Sequence, residues 1–256
     1  MKMSLKKLLF TILTVFSIIF IGACGKSEPV SKEEIIKNFV AASENIKSGD
    51  VVANVKMIQN FNGNKVGIDM IIDASIIREP LAAKMKIEIP SQNTKVNSYI
   101  KDNVMYVQNP VDNQWFTQPL DAQITNQYKD LIVTEQVYDV IKNNVDKIDV
   151  DEKDGNYIIS ISKDSEFLKE AMKNQLINSN TIGVQAGNNV KIENIAVEYI
   201  IDKKTFLPFS SAISFEFEMQ GMRVSSEANT KISNINNVGE IVIPKEAENA
   251  KKVLGN

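Results

Sequence analysis

Apolar and polar residues alternate along most of this chain, and the places where the alternation stops mark its organisation. Val51, Ala53, Val55, Met57 and Phe61 alternate with mostly polar neighbours, the period of a half-buried strand. Asn62-Gly63, a strong two-residue hairpin signal, turns the chain into Lys65–Ser75, with Ile68, Met70, Ile72 and Ala74 on one face. After Arg78-Glu79-Pro80, Leu81, Ala83, Met85, Ile87 and Ile89 alternate against Lys84, Lys86 and Glu88. Lys95–Lys101 and Val104–Gln108 pair across Asp102-Asn103, and Gln114–Thr117 follows a turn at 109–113. The pattern predicts a meander of five to six strands.

Helical spacing brackets this meander. Ser31 and Glu34 have capping-box spacing, and Ile35, Ile36, Phe39 and Val40 continue a helix that should end near Ser48-Gly49. Leu120–Leu131 and Thr134–Val145 read as two further helices. Strands at Asp149–Asp151 and Tyr157–Ser162 flank the turn pair Asp154-Gly155, and a helix capped by Asp164 or Ser165 runs to about Asn178. Residues 178–189 read as a polar loop. Three long strands follow, over Lys191–Ile201, Phe209–Gln220 and Met222–Ile235, and the charged tail from Pro244 reads as a short helix or as disordered chain. Strands of about 12 residues reach roughly 40 Å, which suits a curved sheet. The expected fold is α+β: a strongly curved antiparallel sheet whose apolar face is covered by helices, as one domain spanning residues 31–256.

The first residues follow a different logic. Lys2, Lys6 and Lys7 precede Leu8–Ile21, which is apolar apart from Thr11, Thr14 and Ser17. At about 14 residues this run is shorter than the roughly 20 that a spanning helix needs, and it has the order of an export signal. Gly22-Ala23 then leads into Cys24. The order resembles the lipobox of bacterial lipoproteins. That resemblance implies removal of residues 1–23 by cleavage between Ala23 and Cys24, a diacylglyceryl thioether on the Cys24 sulfur and a place on the extracytoplasmic face of the cell membrane. Residues 24–30 then form a tether. Two acyl chains hold stably where one binds only marginally.

Composition narrows the chemistry. The chain has no histidine and one cysteine, which removes the usual zinc, copper and haem ligands and the Ser-His-Asp and Cys-His nucleophile systems. Its net charge of −3 gives no basic footprint for nucleic acid. No metal, cofactor or catalytic residue is expected. Asp149-Val150-Asp151-Glu152-Lys153-Asp154-Gly155 invites a calcium reading, but Lys153 stands where the loop needs its third acid. Ser98–Lys101 and Ser160–Lys163 match S-x-x-K, yet on strands an offset of three puts the two residues on opposite faces.

The stretches Val104-Met105-Tyr106-Val107-Gln108-Asn109-Pro110, Gln114-Trp115 and Phe206-Leu207-Pro208 resemble a group of Firmicute lipoproteins with the LolA/LppX-like fold. The resemblance implies a half-open barrel with helices covering its concave face, and between sheet and helices an apolar space that holds acyl chains. Val55, Met57, Met70, Met85, Tyr106, Phe215, Phe217 and Met219 are the candidate walls, because adaptable methionines suit irregular acyl chains. The same stripe also fits a filled core. Two functions stay open on the residues alone: a carrier of a lipid or other hydrophobic molecule, and a surface interaction or structural lipoprotein. Trp115 reads as a hairpin anchor to the core, with an aromatic gate beside Tyr106 as the other reading.

Overall fold

The computed structural model describes residues 30–129, 135–178, 190–219 and 221–252. Residues 1–23 and the tether with Cys24, the 179–189 loop and part of the second predicted helix lie outside them. The described chain builds one 12-stranded curved sheet with helices on its apolar face, the α+β half-barrel expected.

Helix α1 spans Lys32–Glu44, where the Ser31 hydroxyl accepts from the Glu34 amide and so satisfies one orphan donor. It buries Ile35, Ile36, Phe39 and Val40. It stops before Ser48-Gly49 because Ser48 already pairs in a strand. Strands β1 (Ser48–Phe61), β2 (Asn64–Ile77), β3 (Ala82–Ile89), β4 (Thr94–Lys101), β5 (Val104–Gln108) and β6 (Trp115–Pro119) form the meander. Helices α2 (Ala122–Lys129) and α3 (Glu135–Lys142) follow, then β7 (Asp149–Lys153), β8 (Asn156–Ile161) and α4 (Glu166–Asn178). Strands β9 (Val190–Asp202), β10 (Pro208–Met219) and β11 (Met222–Ser233) return across the sheet, and β12 (Lys251–Lys252) ends the described chain.

The strand order is β12-β6-β5-β4-β3-β2-β1-β11-β10-β9-β8-β7. The first strand thus sits in mid-sheet, with its own hairpin partner on one side and β11 on the other. The β1–β11 seam runs in register from Asp50↔Ser233 to Phe61↔Met222. It joins the two halves of the sheet into one surface.

Turn chemistry sets the hairpins. Asn62 (φ 50) and Gly63 (φ 81) are both left-handed, as a two-residue turn matched to strand twist requires, and Asp154 (φ 52) with Gly155 (φ 78) repeats it. The acidic 149–155 stretch is therefore a hairpin. A Cβ on Gly63 would meet nothing within 4 Å, so Gly63→Ala tests backbone conformation alone. It is expected to cost about 1 kcal/mol of unfolding free energy, read by denaturant titration.

The tail from Pro244 does carry a short helix, of 3-10 type at Lys245–Ala247, and over its described part it is tied down on the sheet. After β11, the Lys47 amide donates to Asn236 Oδ1 (2.6 Å), and Lys101 Nζ donates to Glu240 (3.0 Å) and to the Ile241 carbonyl (3.2 Å). Ile241 and Ala247 are buried, a 3-10 turn at Lys245–Ala247 packs on β6, and Lys251 and Lys252 pair in parallel with Phe116 and Thr117. The tail is a strap over the convex face that closes the β6 edge, the kind of edge that otherwise invites pairing with another chain.

The densest core lies where the β1 start, β8 and β9 meet α1 and α3. Phe39 (0% exposed) contacts the rings of Tyr138 (5.5 Å between centroids, edge-on) and Tyr199 (5.1 Å). Ile36, Ile76, Ile141, Ile148, Ile159 and Ile201 are fully buried around them. Burial pushes both tyrosine hydroxyls well above their ordinary pKa, with the neighbouring Tyr138 adding to the rise at Tyr199; at Tyr138 the Ser43 hydroxyl and the Arg78 charge oppose it. The fold therefore holds these phenol protons more tightly than the unfolded chain does. Stability should be independent of these groups below about pH 10 and fall as pH rises beyond it. Tyrosinate absorbance at Tyr138 and Tyr199 is expected to appear only together with loss of ellipticity, and Tyr199→Phe should move that transition to higher pH.

Candidate functional site

The sheet registers define the site. With period two, one set of side chains on every strand points to the helix-covered, concave face. Three rows cross it from β2 to β9. The first is Met70, Val55, Ala228, Ile213 and Val197; the second is Ile68, Met57, Ser226, Phe215 and Ile195; the third is Val66, Gln59, Val224, Phe217 and Ile192. Phe61, Met222, Met219 and Val190 close the rows at the hairpin tips. Met85, paired with Ala74 and Ser98, lies on the same face nearer the dense core.

Seven of the eight sequence-predicted wall residues share this face: Val55, Met57, Met70, Met85, Phe215, Phe217 and Met219. Tyr106 is a correction. It pairs with Tyr99 and Thr117 and points to the convex face, while its neighbour Met105, paired with Ile100, points to the concave one. The Tyr128 hydroxyl on α2 donates to the Met105 sulfur (3.4 Å). Trp115 is corrected too: it stands on the convex face beside Tyr99 (ring centroids 5.9 Å), away from the main core. Ile192, Ile195, Ile213 and Val224 complete the wall; alternation along the strands carried the signal for Ile195, Ile213 and Val224, whereas Ile192 reaches this face only through the register shift opposite Glu216-Phe217.

Burial along the rows is graded. At the α1 end the face is sealed, with Ile76, Ile100 and Ile201 buried. Toward the hairpin tip of β1 and β2, Val55, Met57, Ile68, Met70 and Ile72 are only half-buried, whereas Val190, Ile192, Phe217, Met219 and Val224 at the β9–β11 tips are buried. The face thus has a filled base and an accessible apolar end along β1 and β2. Its polar members are hydroxyls and one amide: Ser98, Ser211 and Ser226 are buried, and Gln59 Nε2 lies 3.8 Å from the Met57 sulfur. Such a surface offers dispersion contact and a few weak donors, and no charge.

The convex face differs. A cleft of ≈ 340 Å³ lies under the strap between Asp50, Lys84, Tyr99 and Glu240. Two more, of ≈ 370 and ≈ 360 Å³, lie over β8–β11 and share Ala196, Ser214 and Glu227. They exist because alanine and serine occupy mid-sheet positions there, and charged side chains rim them. Among the described residues no cluster of acids or cysteine is arranged to hold a metal ion, and no described helix is long and apolar enough to cross a membrane.

By structure the chain is similar to LprF from Mycobacterium bovis, at 12% identity over 84% of this chain and 97% of that one, with a TM-score of 0.48. It is also similar to the lipoprotein LppX of Mycobacterium tuberculosis (13% identity, 82% and 98% of the two chains, TM-score 0.46). A LolA superfamily protein from Nitrosomonas europaea matches at 10% identity over 79% and 94% of the two chains, with a TM-score of 0.27. None of the curated proteins matches the sequence. The sequence pattern of DUF6612, a family of unknown function, matches residues 31–252, and the chain belongs to that family.

Proposed function

We propose that the protein is a lipid-anchored extracytoplasmic lipoprotein that holds a lipid or other apolar molecule between its sheet and helices. The observation that carries this reading is the graded burial of the concave face. An apolar surface filled at one end and accessible at the other offers a bound chain a closed bottom and an open side. Met57 and Met70, with unbranched and polarisable side chains, adapt to an irregular occupant. The reading is of a binder and not of a catalyst. The filled base is structural; the ligand belongs to the half toward the β1–β2 hairpin tip.

The test is lipid extraction and native mass spectrometry of the mature protein. One apolar molecule per chain is expected to accompany it. Met57→Lys combined with Met70→Lys should keep the circular dichroism of the fold and lose most of the bound molecule, since each buried cation is costly in an apolar space. Wild-type protein taken from membranes with no bound molecule would sink the carrier reading and leave an interaction lipoprotein.

A further inference from the structure

The accessible end of the sheet has an apolar rim that continues past the half-buried wall. Phe61 is 53% exposed, Val66 57% and Ile58 47%. Phe61 and Val66 point to the concave face, and Ile58, opposite Gly67, points to the convex one. Apolar side chains on both faces of one hairpin do not line a cavity; they suit a wedge entered from all sides. From Met57 to Ile68 the only charged side chain is Lys65, and the turn is Asn62-Gly63-Asn64. Beside it, Phe61 pairs with Met222 at the start of β11, so two adjacent hairpins end at one edge; at the second, Arg223 and Lys191 are ion-paired with Glu193 just behind the tip.

The chain ahead of the domain enters it midway along the sheet, within a tether's reach of this edge. Lys32, at the start of α1, donates to the Ile148 carbonyl (2.9 Å) and the Asp146 carbonyl (3.3 Å). Asp149 follows directly and pairs with Ser160, hence with Glu198, Ala212, Asn229 and Asn54 across the sheet. Strand β7 runs from there toward Asp202, which is the end away from the tips. So α1 begins level with Asn54, midway along β1, and ends at the base. The six residues from Cys24 to Pro29 span at most about 20 Å, close to the distance from that row to the tip at about 3.3 Å per residue.

We propose that the β1–β2 hairpin tip docks into the bilayer that holds the Cys24 acyl chains, with Phe61, Val66 and Ile58 among the lipid tails and Lys65 on anionic headgroups. The inference rests on the anchor reading above. The open end of the concave face then meets the membrane edge-on, and an apolar molecule passes between them without crossing water.

The sole natural cysteine gives the test. In acylated protein carrying Val66→Cys, only the new thiol takes an environment-sensitive fluorophore. On vesicles of phosphatidylglycerol and phosphatidylcholine its emission is expected to more than double, shift to the blue and be quenched by spin-labelled lipid tails. The same label at Val111, 89% exposed on the β5–β6 turn, should stay water-like. Equal, water-like signals at both sites overturn the proposal, as does a vesicle-independent shift that grows with protein concentration, which marks a second copy as the occupant. The anchor fails separately: a Cys24 thiol that itself takes the label was never acylated. Full-length Cys24→Ser, Val66→Cys protein at high lipid then still reports on the rim, and a smaller but tail-quenched signal is expected there.

Discussion

Replacing Cys24 with serine is expected to leave full-length precursor, abolish lipid labelling and shift the protein's fate from stable membrane retention to signal-peptide-dependent association alone. On the proposed anchor reading the Cys24 thiolate is the nucleophile that receives the diacylglyceryl group, and a hydroxyl cannot take its place. Without the thioether there is no two-chain anchor, and each acyl methylene withheld from the bilayer forfeits about 0.8 kcal/mol of binding. The measurement is incorporation of radiolabelled palmitate together with the mobility shift on cleavage. Palmitate in the variant at the wild-type level would refute the anchor. The domain itself should be unaffected, because the described fold begins at Val30 and its first helix is capped by Ser31.

The largest loss of stability is expected from Phe39→Ala. Phe39 is fully buried, and its ring touches both Tyr138 on α3 and Tyr199 on β9. Its removal opens a cavity between helix layer and sheet that neither tyrosine can fill without exposing its hydroxyl to apolar surroundings. A buried phenylalanine cut to alanine costs about 3–5 kcal/mol, a large share of the 5–15 kcal/mol typical of a domain. Denaturant unfolding reads it as a lower midpoint at unchanged slope. A loss under about 1 kcal/mol would mean that the base is not the filled core described. Phe39→Leu, which keeps most of the volume, should recover a good part of the loss.

The features legible in the sequence are those with a local cause. Asn62-Gly63 and Asp154-Gly155 announce their turns because left-handed backbone selects those residues. The alternation of Ile213, Phe215, Phe217 and Met219 names its inward face. Val104-Met105-Tyr106-Val107 gives no such choice: four apolar residues in a row satisfy both registers, and Tyr106 was placed on the wrong face. Trp115 misled for a similar reason, since an aromatic beside a turn is usually a core anchor, whereas here a second layer lies over the convex face. That layer, the 234–252 strap, has no periodicity to read. It is held by lysine contacts to Glu240 and the Ile241 carbonyl and by two parallel pairs, each made with residues more than 130 positions away. The β1–β11 seam is equally silent, because backbone pairing across such a distance leaves no mark on either strand alone.

That seam has a consequence for biosynthesis. The strand at the centre of the finished sheet is the first to leave the ribosome, and its partner from Met222 to Ser233 is made among the last. At about 5–20 residues per second the wait is on the order of ten to thirty seconds. Throughout it, one side of β1 presents unpaired amides beside Val51, Ala53, Val55 and Met57, a template for another nascent chain. Production of this protein should therefore depend on holding chaperones more steeply than its final stability would suggest, and a circular permutant that synthesises β11 directly before β1 should aggregate less during refolding.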